Sequence, residues 1–253
     1  ISELANPQRF EGLAQAVSPY AVGVAFMTLV AGLYFALFNS PADYQQGESV
    51  RIMYVHVPAA WMAMFCYSSM AIASAVGFIW KHPLADVAAK ETAPIGAGFT
   101  FLALFTGAIW GKPMWGAWWV WDARLTSVLI LLFLYLGYMA LWQAIPDKIR
   151  AARLAAILAI VGFVNVPIIK FSVDWWNSLH QPASILRADG PTIDGSMLTP
   201  LFLMIAAYMA LFTAMLLQSM RNELAARRVA RLDMAADAAT STLVETPSAA
   251  SQS

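Results

Sequence analysis

Two histidines and a dense run of tryptophans are the residues in this chain with chemistry to offer. His56 stands in Tyr54-Val55-His56-Val57-Pro58, and His180 in Trp175-Trp176-Asn177-Ser178-Leu179-His180-Gln181. Between them, Trp110, Trp115, Trp118, Trp119 and Trp121 put five indoles into twelve residues, with Asp122 directly after. Neutral imidazole nitrogen suits the two axial positions of a porphyrin iron, and broad apolar rings suit a flat, polarisable macrocycle. Haem is therefore the ligand these residue types point to. Gly111 and Gly116 lie within the tryptophan run, where they allow close backbone approach. Haem propionates need cationic partners, for which Arg51, Arg124 and Arg187 are the candidates. Asp122, ahead of Ala123-Arg124-Leu125, fits a helix N-cap, with a second role in orienting the tryptophan loop or Arg124.

These residues can meet only if the chain between them is organised to bring them together, and its composition shows how. Of 253 residues, 60% are apolar and 12% charged. Soluble domains run nearer one-half and one-quarter, so this is a chain for a lipid bilayer. A helix needs roughly 20 residues to cross about 30 Å of hydrocarbon. Six charge-poor stretches qualify: Ser18 to Phe38, Val57 to Trp80, Thr92 to Trp110, Leu125 to Ile145, Leu154 to Ile169 and Ser196 to Met220. The fifth is short and holds Asn165 and Pro167, a break that neighbouring helices can satisfy. The expected fold is an all-α integral membrane protein of six transmembrane helices with a tryptophan-rich outer loop between the third and fourth.

Orientation follows from the cations. Arg9, Lys81, Lys90, Lys148, Arg150, Arg153, Arg221, Arg227, Arg228 and Arg231 fall on one side, ten of the fifteen. Cytoplasmic loops carry the excess of Lys and Arg, so both termini are expected in the cytoplasm. The chain divides into a cytoplasmic segment over 1–17, a membrane domain over 18–220 and a cytoplasmic tail over 221–253. The tail is basic at first and, from about Met234, rich in Ala, Ser and Thr, a composition that reads as disordered. Glu3 and Glu11, with Arg9 as the only early cation, do not make a secretory signal. On this topology His56 lies at the outer rim of the second span, in the first turn beside Pro58, and His180 lies in the last outer loop. His82, the third histidine, is across the membrane from both.

Several functions are disfavoured. A formal net charge of zero gives no electrostatic ground for a nucleic-acid partner. The single cysteine, Cys66, sits in an apolar run and forms neither an intramolecular disulfide nor a covalent haem motif. Gly107-Ala108-Ile109-Trp110-Gly111-Lys112-Pro113 has the wrong spacing for a phosphate loop, with Pro where the metal-binding Ser or Thr belongs. No residue set suggests acid-base catalysis, and the chain reads as a non-enzyme. An interfacial aromatic belt accounts for one or two of the five indoles, not all of them. Two other classes stay open on residues alone: a b-type haem subunit of a redox enzyme, which favours histidines inside the spans, and a small-solute permease, which needs ionisable groups at mid-span. Asn165 is the main polar residue there and reads as a helix-packing hydrogen bond.

The loop Trp115-Gly116-Ala117-Trp118-Trp119-Val120-Trp121-Asp122 resembles the WWD signature of the haem-handling membrane proteins. With Tyr54-Val55-His56-Val57-Pro58, the His180 segment and six spans, the chain is similar to the CcmC family of bacterial cytochrome c maturation. The likeness runs from the first span to the last and leaves out the tail. It implies that His56 and His180 are axial ligands of a transiently bound haem b. It implies that Trp110, Trp115, Gly116, Trp118, Trp119, Trp121 and Asp122 form the surface against which the macrocycle is held. It also implies a plasma-membrane location with a periplasmic haem site. The implied partners are the haem chaperone CcmE and the ABC-type components CcmA, CcmB and CcmD, with energy supplied by a partner.

Overall fold

A computed structural model describes residues 6–181, 184–185 and 189–245, with side chains described as far as residue 237. Seven helices follow in order: α1 (Pro7–Tyr34), α2 (Met53–Trp80), α3 (Pro83–Trp115), α4 (Ala123–Ala144), α5 (Lys148–Gly162), α6 (Asn165–Trp175) and α7 (Gly195–Glu245). Six segments are long and apolar enough to cross a membrane, with α5 and α6 together forming one of them. Among the described residues the only β feature is one isolated bridge between Asp43 and Gly47.

Three boundaries differ from the sequence reading in ways that matter for the site. Helix α2 starts at Met53 rather than Val57, after a 3-10 turn over Glu48–Ile52. Pro58 therefore lies in the second turn, and His56 is carried on regular helix. Helix α3 runs to Trp115 rather than ending at Trp110, so Trp115 stands on a helix, not in a loop. Helix α7 continues to Glu245, past Met234, where the composition had suggested disorder. Met234-Ala235-Ala236 and Ala238-Ala239 are strong helix formers, and a helix already running from the membrane meets no new nucleation cost there.

The fifth span breaks where Asn165 and Pro167 stand. Pro167 has no N–H to offer the Phe163 carbonyl, which takes the Val166 N–H instead at 3.0 Å. The Asn165 amide then donates to the backbone carbonyl of Ser127 on α4 at 2.8 Å, the helix-packing bond expected of it.

Lipid is as apolar as a side chain, so close packing and hydrogen bonds must hold such helices together. Small residues permit the close approach: Ala59 and Ala63 on α2, and Ala89, Ala93 and Ala103 on α3, are all buried. Tyrosines fill the remaining centre. Tyr135 of α4 reaches across to donate to the Ala63 carbonyl at 2.8 Å, and a side chain at Gly96 would overlap its ring. Helix α1 packs along α7 by one stripe, Ala14, Ala21, Ala25 and Gly32, and leaves its other faces exposed. The Arg228 to Glu11 ion pair, at 3.6 Å, places the start of α1 beside the far part of α7. The ten cations singled out above gather toward that end. His56, the tryptophan run and His180 lie toward the other, at the start of α2, the junction of α3 with α4, and the loop after α6.

Candidate functional site

His56 points from α2 into the last turns of α3. Its Nδ1 lies 3.1 Å from Thr106 Oγ1. That hydroxyl spends its only proton on the Leu102 carbonyl at 2.7 Å, so Thr106 accepts and His56 Nδ1 carries the hydrogen. Nε2 is left with its lone pair. Gly107 makes the room: a Cβ there would lie 2.9 Å from His56 Cε1. Trp110, one turn from Thr106, meets the imidazole edge-on with ring centres 5.6 Å apart, and its own N–H is tied to Gln46 Oε1 at 3.0 Å.

His180 is held from a loop by a different device. Asp122 is the N-cap of α4, its Oδ1 accepting the Leu125 N–H at 2.7 Å. Its other oxygen, Oδ2, takes His180 Nδ1–H at 3.0 Å and the Ser178 hydroxyl at 2.5 Å. Ser178 Oγ in turn accepts the His180 backbone N–H at 3.1 Å, closing a ring of bonds that docks the loop on the start of α4. The Asp122 side chain is only 8% exposed and His180 20%. Burial resists ionisation of Asp122, but the bonds from Ser178, Leu125 and His180 outweigh it and hold the carboxyl below its ordinary range. Burial also pushes His180 below the ordinary histidine value, with Asp122 pulling the other way and Arg124 adding to the depression. The contact is an imidazole N–H donating to a carboxylate oxygen. His180 Nε2, like that of His56, makes no hydrogen bond among the described residues.

The five tryptophans separate into groups. Trp110 sits on His56, and Trp115 meets His180 edge-on at 5.0 Å. Trp119 and Trp121 pack edge-to-face at 5.5 Å and line an open apolar groove of about 460 Å³ with Phe101, Leu104, Phe105, Leu129 and Leu132. Trp118 and Trp121 are 59% and 77% exposed, rings offered outward. Trp119 Nε1 is buried with no partner among the described residues. Gly116 ends α3 in the left-handed region, at φ 75°, where it turns the chain, with open space where a Cβ would stand. Gly111 does lie against a neighbour, since a Cβ there would be 3.1 Å from the Trp115 ring.

The cations are less free than their positions in the sequence suggest. Arg51 pairs with Glu48 at 2.5 Å and donates to the Ala36 carbonyl. Arg124 bonds Ser172 Oγ at 3.1 Å and the carbonyls of Ile169 and Lys170, fastening α4 to α6. Arg187 lies outside the described residues. His82 caps α3 at the opposite end, its Nδ1 taking the Ala85 N–H at 3.3 Å. Cys66 is buried and free. The segment Gly107 to Pro113 is helical, so its amides bond within α3 and do not line a phosphate cradle.

Sequence reasoning missed Thr106, Gly107 and Ser178. Thr106, Gly107 and Trp110 were legible as one helical face, and Ser178 stands two residues from His180. What no spacing revealed is that Asp122 reaches 58 residues along the chain to His180.

The profile of the family described as "Heme exporter protein C" matches residues 1–235. The chain belongs to that family, CcmC. It is 56% identical to heme exporter protein C of Bradyrhizobium diazoefficiens over 92% of this chain and 88% of that one. With the protein of the same name from Escherichia coli K12 it shares 47% identity over 88% and 89%. With that of Paracoccus denitrificans the figures are 45%, 92% and 96%. This CcmC family member thus aligns with these relatives along most of its length.

Proposed function

We propose that the protein binds haem b as cargo at the periplasmic face of a bacterial plasma membrane and passes it to the chaperone CcmE for cytochrome c assembly. One observation carries the reading: two imidazoles at one end of the bundle, each with Nδ1 hydrogen-bonded and Nε2 making no hydrogen bond among the described residues. That is the donor set a six-coordinate porphyrin iron requires. His56 and His180 take the axial positions. Trp110 and Trp115 brace the two rings, while Trp118, Trp119 and Trp121 supply apolar and aromatic surface for the macrocycle with Gly116 and Asp122 shaping the loop. Arg51 and Arg124 keep N–H groups that make no bond among the described residues, and with Arg187 they serve the propionates.

Placement at the end of the bundle favours transfer over electron storage, since a haem that stores electrons is better buried between helices. The excess of cations at the opposite end supports a periplasmic haem site with both termini in the cytoplasm. CcmA, CcmB and CcmD supply the energy-linked step. The test is CcmE loading: cells expressing CcmE with the wild-type chain accumulate CcmE carrying covalent haem, and cells expressing the His56→Ala, His180→Ala double variant at equal membrane level do not. Undiminished loading by the double variant contradicts the proposal.

A further inference from the structure

Resting on the haem reading above, we infer that the two imidazoles are unequal iron ligands: His180, backed by Asp122, is the one retained, and His56, backed by Thr106, is the one that lets go first. The inequality lies one shell out from the ring nitrogens. His180 Nδ1–H donates to a carboxylate oxygen at 3.0 Å, on a side chain 8% exposed and fixed by Leu125 and Ser178. A buried carboxylate draws that proton toward itself and makes Nε2 a richer donor, especially toward ferric iron. His56 Nδ1–H has no carboxylate to meet; at 3.1 Å lies the lone pair of a neutral hydroxyl whose own proton is committed to Leu102. His56 is positioned by packing against Gly107 and Trp110, with no charge behind it.

A second-shell partner of the Asp122 kind is worth about 10- to 100-fold in metal affinity, and His56 has no carboxylate in that place. On transfer, the bond that breaks is Fe–Nε2 of His56. Its electron pair stays on the nitrogen, iron keeps its oxidation state, and the vacated position opens to a Lewis-basic group of the acceptor. Haem stays tethered through His180 until the acceptor holds it. Asp122 is in this account a positioning residue, and the helix cap it provides is what makes the tether rigid.

The test uses the full chain, co-expressed with its chaperone, purified in detergent and compared as wild type, His56→Ala, His180→Ala, Asp122→Asn and Thr106→Val. Wild type is expected to show low-spin haem. His56→Ala is expected to keep haem in a five-coordinate, high-spin form, and His180→Ala to retain about 10-fold less haem per protein. Asp122→Asn preserves a good helix cap while removing the charge, so a cap-only role leaves the haem midpoint potential unmoved. The inference expects that potential to rise, and to rise more than in Thr106→Val. Equal losses in the two histidine variants, a greater loss in His56→Ala, or a wild-type potential in Asp122→Asn each overturn the inequality while leaving bis-histidine binding intact. A haem-free wild type overturns the haem reading and this inference with it.

Discussion

His56 and His180 offer the same atom by opposite means. His56 belongs to a membrane helix, and its environment is made of helix neighbours: Thr106, Gly107 and Trp110 within little more than a turn of α3. His180 belongs to a loop and is held by a chain of polar bonds ending in the cap of α4. Packing places the first and hydrogen bonding places the second. A packed ligand is disturbed by volume, and a bonded one by loss of charge or of a donor.

The comparison is broken hardest at Asp122. Asp122→Ala removes the cap together with the partner of Ser178 and His180, so haem affinity falls by about 10- to 100-fold, and stability by about 1 kcal/mol. Haem-to-protein ratio after gel filtration and a thermal melt read the two effects separately. If affinity stays within twofold, the carboxylate does not organise the loop.

Gly107→Ala tests the other ligand by volume alone. The new methyl meets His56 Cε1, while alanine favours the helix by up to about 1 kcal/mol. The low-spin fraction of the bound haem is expected to fall several-fold with the melting temperature held or raised, a split that a folding defect does not produce. A variant with a wild-type low-spin fraction shows that His56 is not confined by this contact.

The smallest effect sharpens the contrast by isolating a cap with no site duty. Asp194 accepts from Ser196 N and Oγ at the start of α7, bonds that hold its carboxyl below the ordinary range. A depressed folded value means the contribution is present above the ordinary carboxyl range and is lost as pH falls through it. Asp194→Ala should therefore flatten part of the acid limb of stability near pH 4 and below in the haem-free protein, without altering haem content at neutral pH. A loss of haem in this variant joins the α7 end to the site.

The same contrast explains what was legible in the sequence. Spans are written in composition, so the six crossings could be read from uncharged runs. The ends were less legible. Trp115 read as loop because glycine, proline and lysine precede it, yet α3 tolerates Pro113 and ends only at Gly116, where the left-handed turn is made. The continuation of α7 was hidden by a polar, small-residue composition that helix propensity overrides once a helix is under way. At the site, residue types marked His56, His180 and the indoles, and Asp122 was legible as a cap. Its second bond was not, since a contact spanning 58 residues depends on how α4 and the loop after α6 come together. The propionate cations were the least legible, because Arg51 and Arg124 have structural partners that no spacing announces.

The central claim is that His56 and His180 together bind haem iron. Low-temperature electron paramagnetic resonance and absorption spectra of the ferric protein, purified with its chaperone, test it most directly in wild type and in the His56→Ala, His180→Ala double variant. The account predicts a low-spin bis-imidazole signal in wild type that is absent from a folded double variant. The same low-spin signal at full intensity in the double variant contradicts it.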